Sequence, residues 1–175
     1  MDYNIYLTGF SGTGKTTSGK ALAGMLRVTF IDMDCEIENI QGKTIPQIFD
    51  TCGEGGFRQI ETNFLKQISS TMGQVVSTGG GVPALEENRR IMSSAGKIIC
   101  LTAKPEIILQ RLKGHEEAAG EKAARPVLLS DYPLARIRRL LLERENFYSK
   151  SDLVVNTEFL EPESVAKRII ERLSL

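Results

Sequence analysis

Apolar and polar positions along the chain alternate between two rhythms. Short apolar runs of strand length recur at Ile5-Tyr6-Leu7-Thr8, Val28 to Asp32, Gln74 to Ser77, Lys97 to Leu101 and Leu153-Val154-Val155. Between them lie amphipathic stretches of helical length: Lys15 to Leu26, with Leu22 and Leu26 on one face, then Glu86 to Ser94, Pro105 to Leu112, Pro133 to Lys150 and Glu163 to Leu173. A further helical region, Glu36 to Ser70, is punctuated by Gly42, Pro46 and Gly53-Glu54-Gly55-Gly56. Strands alternating with helices predict an α/β fold: a five-stranded parallel sheet with helices on both faces, in one domain spanning residues 1–175. Functional groups in such a sheet gather beyond the carboxyl ends of the strands. Lys113 to Arg125 breaks both rhythms, mixing Gly114 and Gly120 with charges and small residues, and is a candidate mobile lid.

Composition adjusts this picture only at the edges. Of 175 residues, 41% are apolar and 25% charged, enough for a full core. Lys plus Arg number 22 and Asp plus Glu number 22, a balance that argues against bulk nucleic-acid binding and is compatible with a monomer. No stretch approaches the roughly 18 apolar residues that cross a bilayer. Met1-Asp2-Tyr3-Asn4 does not read as a signal peptide, and Cys35, Cys52 and Cys100 have no metal-ligand spacing. Reduced thiols and a cytoplasmic location are the expectation.

Chemistry enters at Gly9-Phe10-Ser11-Gly12-Thr13-Gly14-Lys15-Thr16, which fits G-x-x-x-x-G-K-[ST] between a predicted strand and a predicted helix. Glycines let the backbone curl so that successive N–H groups face phosphate oxygens, and the helix adds the positive end of its dipole. Lys15 is expected to reach the β- and γ-phosphates of ATP, and the Thr16 hydroxyl to ligate Mg²⁺. Gly12, Thr13, Gly14 and Thr17 complete the expected nucleotide contacts. A GTPase would add N-K-x-D, which the chain lacks. Its D-x-x-G match, Asp50-Thr51-Cys52-Gly53, falls in a helical region rather than at a strand end. No carboxylate ends the third strand, where Ser77-Thr78-Gly79-Gly80-Gly81 stands instead. Asp32, ending the second strand, is the candidate partner of Mg²⁺ through water, or else a turn-forming residue.

Taken in order, the phosphate loop, Asp32-Met33-Asp34, Gly53 to Glu61, the triple glycine, Arg125-Pro126, and Arg144 followed by Tyr148 resemble shikimate kinase over essentially the whole chain. The resemblance implies ATP-dependent phosphorylation of the shikimate 3-hydroxyl in aromatic amino acid biosynthesis. It puts Asp34 on the acceptor hydroxyls, in an acceptor-binding region over residues 33–61, and Arg58 and Arg144 on the carboxylate. An Arg fork matches two carboxylate oxygens and keeps its charge. Asp34 also has a second reading, as the cap of a helix starting at Glu36. Glu61, three residues after Arg58, is expected to hold that guanidinium in place. Gly79, Gly80 and Gly81 would let acceptor and γ-phosphate approach the backbone closely. The resemblance further implies Arg111 packing on adenine and Arg125 reaching the transferring phosphate when the lid of residues 113–125 closes.

Two features depart from the family pattern. Gly114 to Lys122 is longer and more acidic than a typical lid, and Glu145-Asn146-Phe147 lacks a proline before Tyr148. His115, the one histidine, reads as a solvated loop residue. A kinase of another small hydroxy or sugar acid, such as gluconate, is the neighbouring alternative, and a nucleotide-binding switch without transferase activity the more distant one.

Overall fold

The structure, a computed structural model, describes residues 1–119 and 131–175, with side chains of 116–119 excluded. Strands β1 (Asn4–Thr8), β2 (Thr29–Asp32), β3 (Gln74–Ser77), β4 (Gly96–Thr102) and β5 (Leu153–Asn156) form one sheet in the order β2-β3-β1-β4-β5. Every pairing is parallel, with Ile5 opposite Val75 and Lys97, and Ile99 opposite Leu153. The helices are α1 (Lys15–Leu26), α2 (Met33–Gln41), α3 (Ile45–Ser69), α4 (Glu86–Ala95), α5 (Pro105–Ala119), α6 (Pro133–Tyr148) and α7 (Pro162–Leu173).

β1, β3 and the middle of β4 are buried on both faces, whereas the edge strands β2 and β5 are partly exposed, and alternate side chains feed two separate cores. Tyr6, Val76 and Ile98 meet Met33, Ile37, Phe57, Leu65 and Met92 from α2, α3 and α4. Ile5, Leu7, Val75, Ile99 and Val155 meet Leu22 and Ala23 of α1 and Val165, Ala166 and Ile169 of α7. A third cluster joins Phe10 of the phosphate loop to Ile108 and Leu112 of α5 and Ile137 of α6. The helix that begins at Lys15 is therefore backed by α7, and the loop before it by α5 and α6.

The long region after β2 resolves into two helices. Helix α2 begins at Met33, three residues before the Glu36 expected from the sequence. Asp32, not Asp34, is its N-cap, accepting from Cys35 N at 3.4 Å. Asp34 is thereby left inside the first turn. Thr44 opens α3 through a capping box: its hydroxyl accepts from Gln47 N (3.5 Å), and Gln47 Oε1 accepts from Thr44 N (2.9 Å). The helix breaks at Gly53 (φ 69°, ψ −179°), a left-handed conformation that favours glycine. Residues 113–119 continue α5 as helix. Glu116, Glu117, Ala118 and Ala119 are good helix formers, and they outweigh Gly114. The rest of the candidate lid, with Arg125, lies outside the described residues.

Candidate active site

The phosphate loop leaves β1 and closes on itself. Gly9, Gly12 and Gly14 take φ of 129°, 84° and 89°, and Gly14 caps α1 with no side chain of its own. Thr13 is buried and its hydroxyl donates to Phe10 O at 2.8 Å. Thr17 Oγ1 donates to Gly14 O at 3.1 Å. Lys15 Nζ donates to Gly9 O (3.0 Å) and Phe10 O (3.1 Å), so the ammonium arches back over the loop's own backbone. The Thr16 hydroxyl donates to Asp32 Oδ2 at 2.7 Å. Asp32 thus joins β2 to the first turn of α1 while capping α2.

That oxygen pair suits Mg²⁺, a hard cation that keeps several waters and takes one or two protein oxygens plus phosphates. Thr16 Oγ1 can offer a lone pair to the ion while its O–H still points at Asp32 Oδ2. Among the described residues there is no group of three or more His, Cys, Asp or Glu able to hold a metal. An ion here would therefore draw its remaining ligands from nucleotide phosphates and water.

The triple glycine follows β3, the strand beside β1, and lies between the phosphate loop and a cluster of charges. A Cβ on Gly79 would lie 2.7 Å from Glu61 Oε1 and 2.8 Å from Asp34 Oδ1. One on Gly80 would lie 3.2 Å from Arg144 Nη1, with Gly9 O and Ser11 N close behind at 3.5 and 3.7 Å. One on Gly81 would overlap the Arg58 guanidinium. A side chain at Gly79 or Gly81 would have to push these charged groups aside, and the close approaches bring Asp34, Arg58, Glu61 and Arg144 to one stretch of backbone at the carboxyl ends of β1, β2 and β3.

Each charge in the cluster is held. Arg58 donates to Glu61 Oε2 at 2.5 Å and to Glu54 Oε1 at 3.3 Å. Burial works against the charged form of Arg58, yet the two glutamates outweigh it and raise its pKa. Glu61 is 1% exposed. Burial, with a smaller push from Asp34, moves its pKa from 4.5 up to about 7 against the pull of Arg58 and Arg144. Arg144 donates to Gly80 O at 3.2 Å and lies over the Phe10 ring, 5.3 Å from its centroid. Tyr148 OH, one turn further along α6, donates to the same carbonyl at 3.0 Å.

At the other end of the loop, Arg111 donates to Thr157 O (2.7 Å), Thr157 Oγ1 (3.0 Å) and Gly12 O (3.5 Å). Thr157 is buried, and its hydroxyl faces two acceptors, Thr13 O at 3.0 Å and Thr102 O at 3.2 Å. Sequence reasoning passed over Thr157, although a polar residue just past the last strand sits where such sheets collect their ligands. It also missed Phe10, hidden among the variable positions of the motif, and Glu54, four residues before Arg58 on the same helix.

A phosphate loop after the first strand of an all-parallel sheet, with the paired charges of Asp34, Arg58, Glu61 and Arg144 beside it, defines a P-loop phosphotransferase. The family model for shikimate kinase matches residues 11–174. A shikimate kinase of Thermodesulfovibrio yellowstonii is 42% identical over 174 residues, covering 98% of this chain and 96% of that protein. One from Caldicellulosiruptor bescii is 42% identical over 167 residues, covering 95% and 93%. Among solved structures, shikimate kinase from Acinetobacter baumannii in complex with shikimate superposes with a TM-score of 0.89 at 35% identity, covering 98% of this chain and 93% of that one. The chain belongs to the shikimate kinase family. A sugar kinase from Janibacter, with a TM-score of 0.63 at 14% identity over 99% of this chain and 95% of that one, shares the fold alone.

Proposed function

We propose that this protein is an ATP-dependent shikimate kinase, transferring the γ-phosphoryl group to the acceptor's 3-hydroxyl and releasing ADP. The observation that carries the reading is the convergence of Asp34, Arg58 and Arg144 on Gly79 to Gly81, next to the phosphate loop. One pole of that cluster is a carboxylate suited to a hydroxyl, and the other is a pair of guanidinium groups suited to a carboxylate.

The residues divide the work as phosphoryl transfer demands, by positioning and charge stabilisation. Gly12, Thr13, Gly14, Thr16 and Thr17 cradle the phosphates, and Lys15 leaves its carbonyl partners to follow charge as it builds on the β- and γ-phosphates. Mg²⁺, when bound at Thr16 and near Asp32, neutralises phosphate charge. Asp34 accepts the hydrogen bond of the attacking hydroxyl, aims it in line, and takes its proton as the new P–O bond forms. Arg58, braced by Glu61 and Glu54, and Arg144, braced by Gly80 O and Phe10, fix the acceptor carboxylate. Arg111 lies at the adenine end, and Arg125 meets the transferring phosphate from the lid. A monomer in the cytoplasm, with no nucleic-acid partner, fits the balanced charge and the three free cysteines. No helix of the described residues is long and apolar enough to cross a membrane.

The test is ADP release from Mg²⁺-ATP with shikimate, quinate, gluconate and nucleoside monophosphates as acceptors. Shikimate should stimulate release far above the others. Equal or greater stimulation by gluconate, or none by shikimate, overturns the acceptor assignment.

A further inference from the structure

A cavity of about 560 Å³ opens between α6 and the β4–β5 edge of the sheet, sharing none of the phosphate loop or of the Asp34–Arg58–Gly79 cluster. Its size is that of a small-molecule site, within the ~300–1,000 Å³ such sites span. Cys100 and Thr102 of β4, Val154 of β5, and Leu141, Leu142 and Tyr148 of α6 line it. Leu142 and Val154 leave 71% and 53% of their surface exposed, so the lining presents uncovered apolar area to solvent.

The polar groups of the lining decide what fits. Arg138 is paired with Glu106 at 2.6 Å, and Ser149 Oγ donates to Asn146 O at 3.4 Å. The Glu145 carboxylate and the Thr102 hydroxyl have no partner among the described residues. The charge left uncompensated in the lining is therefore negative, on an otherwise apolar surface. An anion would face Glu145; a protonated amine on an apolar body complements both features.

The cavity also touches the machinery of the cleft. Tyr148 contributes to its lining, while the Tyr148 hydroxyl holds Gly80 O at 3.0 Å. Arg144, one turn earlier on α6, donates to the same carbonyl. A molecule wedged against α6 bears on both contacts. We propose that this cavity is a second binding site, for a small apolar amine, and that its occupancy alters acceptor affinity in the cleft. Binding stands on the cavity alone, whereas the coupling rests on the acceptor reading above.

The full chain is titrated with phenethylamine and, separately, with 3-phenylpropionate, following the methyl resonances of Leu142 and Val154. Phenethylamine should saturate with a Kd of about 2 mM, what roughly nine heavy atoms deliver at ~0.4 kcal/mol each. Phenylpropionate should not bind. Glu145→Gln should weaken the amine about fivefold, the contribution of a partly exposed charge pair, and Val154→Trp, which fills the cavity, should abolish binding. Absence of saturation, equal binding of the anion, or indifference to both substitutions overturns the site. Shikimate affinity, measured calorimetrically with and without saturating phenethylamine, should change about fivefold, the low end of ordinary coupling. An unchanged value overturns the coupling. If shikimate binds in neither condition, the acceptor reading has failed, and the methyl titration still decides the cavity.

Discussion

Replacing Glu61 with glutamine keeps the shape of the side chain and an acceptor for Arg58 but removes the ability to ionise. In the folded protein the carboxyl titrates at about 7, because burial, aided by Asp34, outweighs the attraction of Arg58 and Arg144. Unfolded, it returns to the ordinary 4.5. Between those pH values the unfolded chain has released a proton that the folded chain retains, so rising pH favours unfolding. Below 4.5 the contribution is complete, and it is lost as pH passes about 7. At about 1.4 kcal/mol per pH unit, the interval amounts to about 3 kcal/mol. Glutamine has no such dependence, whatever constant cost it adds at Arg58. Urea unfolding of both proteins across pH 4.5 to about 8 measures the difference directly. Stability of the native chain minus that of Glu61→Gln should fall by about 3 kcal/mol over the range. A flat difference refutes the reasoning, and so does one that grows with pH, as a carboxylate dominated by its ion pair would give.

Gly81→Ala places a Cβ in the Arg58 guanidinium, which Glu61 and Glu54 pin in place. Steady-state kinetics should show the KM for shikimate raised about tenfold or more, roughly 1.4 kcal/mol of lost binding, with the KM for ATP little changed. Thr157→Val strips the hydroxyl that links Thr13, Thr102 and Arg111. It should cost about 1–3 kcal/mol in urea unfolding and raise the KM for ATP more than that for shikimate. Lys15→Ala should fold normally yet lose turnover about a hundredfold or more, the effect of removing a charge from the transition state; near-normal turnover would contradict its role.

Sequence and structure agree where local chemistry dictates the outcome. The phosphate loop is legible because a backbone turning through three positive φ values demands glycine at fixed spacing, and the inner strands because burial on both faces leaves largely apolar runs. The Arg58–Glu61 contact was legible as an i,i+3 pair. Helix α2 was misjudged by three residues because Asp32 and Asp34 are equally good caps in isolation, and the contact that Thr16 makes from the first turn of α1 favours Asp32. The reach of α5 to Ala119 was hidden by Gly114, whose propensity cost the following alanines and glutamates override. Near-neutral Glu61 could not be read at all, since its burial is made by Gly79 and the packing of α3, not by its neighbours in sequence. The cavity beside α6 is of the same kind, a space between elements rather than a property of any one of them.

The backing of α1 by α7 bears on how the enzyme is born. The turn carrying Lys15 and Thr16 forms from residues made early, yet Leu22 and Ala23 behind it find Val165, Ala166 and Ile169 only when residues 162–173 have left the ribosome. β1 likewise lies between β3 and β4, strands synthesised some seventy and ninety residues later. During most of translation the phosphate loop is a ligand-binding sequence without the scaffold that gives it affinity, and nucleotide capture by the nascent chain waits for its distant partners.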